Sequence, residues 1–225
     1  MALTLTQHIA AVRQFSNTEN NTGFVTDTEI TSRLNEAISE LYDLVVVAFE
    51  HYYVSEDGPF TLAGGVGANT HTLPADFYKY IGLDRDPNTT YTTTVPKLPS
   101  FAERNRVGGP AAFVQGLTTL VIMPPQAAGG TFLMYYVPKA PTLVDPTDTL
   151  DVNLAHWEEF IDIRAAVAVC NKREMTEMAQ TLEAKLQALT LRIHAMAANR
   201  TEEPSQVALA DNIGRRWWGN GEDWR

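Results

Sequence analysis

The chain has 225 residues, 44% of them hydrophobic, and a formal charge of −10. That is enough for one large domain or a domain with a substantial insertion, while the single cysteine, Cys170, excludes an intramolecular disulfide and a cysteine metal cluster. The longest apolar stretches, Leu44 to Phe49 and Ala165 to Cys170, fall far short of the ~20 residues a membrane-spanning helix needs. Between Glu19 and Asp86 twelve acids face three bases, so the basic face with which a conventional nucleic-acid binder neutralises phosphates is lacking.

The opening MALTLTQHIAAVRQF has no cationic start before a long apolar run and reads as mature sequence of cytosolic origin. Residues Gln7 to Phe15 suit a short helix, followed by the polar loop SNTENNTG. Thr26-x-x-Glu29 then opens a capping-box pattern. Ile30, Leu34, Ala37, Ile38, Leu41, Leu44, Val45 and Ala48 follow at three- and four-residue spacing, which predicts an amphipathic helix.

From His51 to about Pro141 the period changes. Short runs rich in Tyr, Thr, Val and Phe alternate with EDGP, AGGVG, DPN, VGGP and AAGG, the punctuation of a β-meander. Its best strands are Tyr78 to Leu83, Tyr91 to Val95, Ala112 to Gln115, Leu120 to Met123 and Thr131 to Val137. After VPKAPTLVDPTDTL the helical period returns with Leu154, Trp157, Phe160 and Ile161, then the apolar AAVAVC segment. Ala165, Ala166 and Ala168 suit close packing, either within a helical bundle or at a subunit interface. A further stripe joins Met175, Met178, Leu182, Leu186, Leu189, Ile193 and Met196, running to about Asn199 over roughly 40 Å at ~1.5 Å per residue. A break is expected near Asn171 to Glu174, with one continuous bent helix as the alternative.

Searching for chemistry yields little. AGGVGA lacks the GK[ST] ending of a phosphate loop and reads as a β-turn. His8, His51, His71, His156 and His194 stand singly, without the spacing of metal ligands. Asp145, Asp148 and Asp151 lack the central Gly and terminal Glu of a calcium loop and read as loop and capping acids. Glu158 and Glu159 are adjacent, so on a helix they point about 100° apart, poor geometry for a carboxylate pair. Cys170, inside an apolar helix, reads as a packing residue. No catalytic set, metal site or cofactor is expected, and the chain is read as a non-enzyme.

Beyond Pro204 all periodicity ends, yet RRWWGNGEDWR holds three of the four tryptophans. Tryptophan without a core of its own is the composition of an anchor on another protein. Arg215, Arg216, Trp217, Trp218, Trp224 and Arg225 are therefore the candidate docking residues.

The order of parts carries a resemblance. A first helix with LNEAISELYDLV, a β insertion entered through LPADFYKYIGLDR and containing PSFAERNR, a return strand ending MYYVPKAPTL, the long helices from WEEFIDIRAAVAVC to IHAMAANR and an extended tail together resemble the head-to-tail adaptor (connector) proteins of tailed bacteriophages, especially short-tailed ones. The likeness runs from about Thr26 to Arg225. It implies an α+β fold: an antiparallel helical bundle with an inserted β-meander domain and an extended C-terminal tail. The expected parts are residues 1–50 (N-terminal segment and first bundle helix), 51–141 (inserted β domain), 142–203 (long bundle helices) and 204–225 (docking tail).

The resemblance further implies a virion protein at the head–tail junction, made in the bacterial host cytoplasm. It would form a homo-oligomeric ring, usually of twelve copies, with the tail docked on the portal protein. The other side of the ring would meet a tail nozzle or fibre protein, and genomic DNA would pass through without specific binding. The acidity fits a conduit that repels passing phosphates. The β insertion is long for such a protein, which leaves its contact open. Another virion ring component, a nozzle or head-completion protein, is the nearest alternative. A carbohydrate-binding or hydrolytic tail component, with Tyr52, Tyr53, Tyr78 and Tyr80 as its aromatics, is a more distant one.

Overall fold

The computed structural model describes residues 2–19, 23–49, 53–63, 69–86, 93–98, 111–116, 118–123, 129–151 and 154–200. Among them are four α-helices and two antiparallel sheets, the α+β class expected. The chain divides into two compact units, one of residues 1–5 and 38–156, the other of residues 6–37 and 157 onward.

The helical unit begins with α1 (Leu5–Phe15) and takes the first part of α2 (Asp27–Phe49). α3 (Glu158–Lys172) and α4 (Thr176–Arg200) complete it. The Thr26 hydroxyl accepts the Glu29 amide at 3.3 Å, as the capping-box spacing requires. The Glu29 carboxylate meets Lys172 Nζ of α3 at 2.6 Å.

Both short connections end their preceding helix in the same way. Asn17 has φ 50° and Glu174 φ 58°. At the first site the Thr18 amide donates to Arg13 O and the Asn17 amide to Gln14 O; at the second the Met175 amide donates to Cys170 O and the Glu174 amide to Asn171 O. These are Schellman stops, which consume carbonyls that a helix end otherwise leaves unpaired. The second stop realises the break expected near Asn171 to Glu174. α3 and α4 then run antiparallel, with the Arg192 guanidinium 5.6 Å from the centre of the Trp157 ring.

α3 is apolar almost all round. Phe160, Ile161, Ile163, Ala165, Ala166, Val167, Val169 and Cys170 are all buried, so it forms the axis of its unit. Three polar contacts fasten neighbours around it. His8 Nδ1 of α1 lies 2.7 Å from Asp162 Oδ1, with both side chains buried. Lys172 Nζ binds the Phe24 carbonyl as well as Glu29. Arg173 donates to the carbonyls of Ser16 and Asn17. Arg13 joins α1 to the start of α2 through Asp27, Val25 O and Thr18 O.

The β unit holds a sheet of order β1-β7-β3-β4 and a second of order β2-β6-β5. β1 is Ser55–Leu62, β2 Thr70–Thr72, β3 Phe77–Arg85, β4 Thr93–Val95, β5 Ala111–Gln115, β6 Thr119–Met123 and β7 Gly130–Pro138. Every strand expected from the sequence is present, although residues 91 and 92 fall outside the described residues. Neighbours in space are not always neighbours in sequence, however: β7 pairs with both β1 and β3, so the meander order holds only for β3–β4 and β5–β6.

β1 was hidden by its EDGP, which reads as a turn. In the fold these residues make a bulge against β7, where the register shifts between Asp57 and Phe60. Gly58 sits there at φ 129°, and a Cβ on it would meet Phe132 O at 2.9 Å. Only glycine fits. His71 of β2 stacks on Phe60 of β1, ring centres 3.6 Å apart, and its Nε2 lies 2.8 Å from Asp57 Oδ2, which ties the two sheets together. Leu83, Ala112, Leu120, Ile122, Phe132 and Met134 lie at the centre of their common core.

Three outcomes are expected. Replacing Glu174 with glycine removes the Cβ from a left-handed position and should stabilise the protein by about 0.5–1 kcal/mol in urea unfolding. Ala166→Leu inserts volume into a fully buried position and should destabilise by about 1–3 kcal/mol. His8→Leu leaves a buried carboxylate without its partner, costing about 3 kcal/mol at neutral pH. Burial pushes the Asp162 carboxyl up, while its bond to His8 opposes the rise. Stability linked to a raised carboxyl is complete at low pH and is lost as pH climbs through the raised value. The His8→Leu penalty should therefore shrink on acidification, which thermal melts across pH will check.

Candidate functional site

The six candidate docking residues, Arg215, Arg216, Trp217, Trp218, Trp224 and Arg225, lie outside the described residues. The helix that leads toward them is described, and so are the packing residues on its neighbour. Ala165 and Ala166 are buried in α3, and Ala168 is half-buried.

α4 has two faces with different fates. Its inner stripe carries the expected Leu182 and Ile193, both buried, with Met178, Leu186, Leu189 and Met196 half-buried, and Met175, half-buried, stands just before the helix. Its outer stripe, Thr181, Ala184, Ala188, Leu191 and Ala195, is exposed throughout, and Leu191 is 69% exposed. The outer face of α2 is exposed as well, but polar: Ser32, Arg33, Glu36, Ser39, Glu40 and Asp43, with Val47 after them. Arg33 Nη1 pairs with Glu36 at 2.8 Å.

Of the four tyrosines expected of a sugar platform, two are buried and one is bonded to a carboxylate. Tyr53 is buried edge-on to Tyr42 at 5.3 Å, and Tyr80 is buried too. Tyr78 is about half exposed and gives its hydroxyl to Asp43 at 2.7 Å. Tyr52 lies outside the described residues. Tyr42 donates to Pro138 O at 2.8 Å and, with Tyr53, Lys139, Pro141 and Asp151, lines a depression of about 240 Å³. Burial, with the Asp151 charge second, pushes the Tyr42 hydroxyl up to about 12. Burial likewise pushes Tyr53 and Tyr80 upward. All three stay protonated at neutral pH and are poorly suited to act as bases.

The other chemical candidates take structural places. Asp148 accepts the amides of Val144 and Asp145, both at 2.8 Å, and these bonds hold its carboxyl below the usual range. The Asp151 carbonyl takes the amides of Leu154 and Ala155. Glu158 and Glu159 sit in the first turn of α3, where acids favour the helix dipole. Cys170 is fully buried and its thiol is pushed up by that burial, the environment of an inert packing residue.

What sequence reasoning missed is the set of polar clamps. His8 and Asp162 are 154 residues apart, and neither sits in a motif. Only the placing of an acid inside the apolar run FIDIRAAVAV hinted that a buried partner was needed.

With its strands encoded between α2 and α3, the chain has the α+β class expected of an adaptor. No helix among the described residues is long and apolar enough to cross a membrane. No curated protein matches the chain. The family described as SU10 adaptor protein matches residues 3–209, covering both units and stopping short of the tryptophan-rich terminus. The chain thus belongs to the SU10 adaptor protein family and is a bacteriophage head–tail adaptor, a structural protein of the virion.

Proposed function

We propose that the protein acts without catalysis, as a homo-oligomeric ring between the portal and the tail nozzle of a short-tailed phage. The ring is a conduit: DNA is packaged above it, retained, and released through it on ejection. The observation that carries this reading is the adaptor family match across residues 3–209, in a chain whose α4 leads into a segment with no apolar period of its own. Arg215, Arg216, Trp217, Trp218, Trp224 and Arg225 dock that segment on the portal. Each tryptophan can bury ~150–250 Å² there, and the arginines add charge-assisted bonds to carboxylates or carbonyls. The protein is made in the host cytoplasm and resides at the head–tail junction. The net charge of −10 supports a channel that passes DNA without holding it.

Deleting residues 210–225 should leave the thermal melt nearly unchanged and abolish capture of the portal protein in a pull-down. Changing Trp217 and Trp218 together to alanine should weaken docking by more than ~2 kcal/mol per subunit, the scale of aromatic hot spots, with avidity multiplying the loss in a ring. Equal capture by full-length and truncated protein would overturn the docking role. A large fall in melting temperature would return the tryptophans to the protein's own core.

A further inference from the structure

We draw no further inference here: the strongest candidate, the depression of the β unit lined by Tyr42, Tyr53, Lys139 and Asp151, sets one base against one acid, and nothing in the structure shows what would fill it.

Discussion

A helix with no polar side must be covered from every direction, and α3 imposes that constraint on the whole helical unit. Its run from Phe160 to Cys170 buries nine residues, Asp162 among them. One neighbouring helix covers only part of such a cylinder, so α1, the start of α2 and α4 are all recruited. The carboxylate of Asp162 then has no route to water and needs a donor from within, which His8 supplies. The ends of α3 are fastened for the same reason: Lys172 and Arg173 reach back to Glu29, Phe24, Ser16 and Asn17. Truncation of α3 would therefore loosen segments far from it in sequence.

Local patterns were legible wherever one side of an element faces water. The α2 period, the Thr26 cap, the stop near Glu174 and five strands of the β unit could be read because a buried face leaves a repeat in the sequence. β1 left none. It is the edge strand of its sheet, and an edge can tolerate a proline and two acids within SEDGPFTL because one row of its backbone groups needs no partner. The pairing of β7 with both β1 and β3 was equally invisible. Strand order depends on contacts across some fifty to eighty residues, as in Ser55 with Tyr136 and Tyr80 with Tyr136, and a chain-order reading defaults to neighbours.

Functional sites fared differently, since a structural role in a virion demands no fixed set of residue types. The family was legible from the order of parts. The clamps were not, because His8 and Asp162 are ordinary residues until the fold brings α1 onto α3. The outer stripe of α4 lay in plain view at heptad spacing, yet it was masked by the stronger methionine and leucine stripe behind it. A helix apolar on two sides has a weak apparent direction, and the reading settles on the larger residues.

On the proposed conduit reading, the placing of three bases bears on how DNA passes. Arg13 is committed to Asp27 and two carbonyls, Lys172 to Glu29 and the Phe24 carbonyl, Arg173 to two further carbonyls. A phosphate approaching any of these would have to displace oxygen acceptors that are already in position, several of them buried. Exchanging one charge-assisted bond for another gains little and leaves a carbonyl or carboxylate unpaired. These three cations thus act as internal fasteners, while Glu36, Glu40 and Asp43 remain on the surface. On the proposed reading, committing these three bases to the helical unit leaves fewer cations to retain DNA.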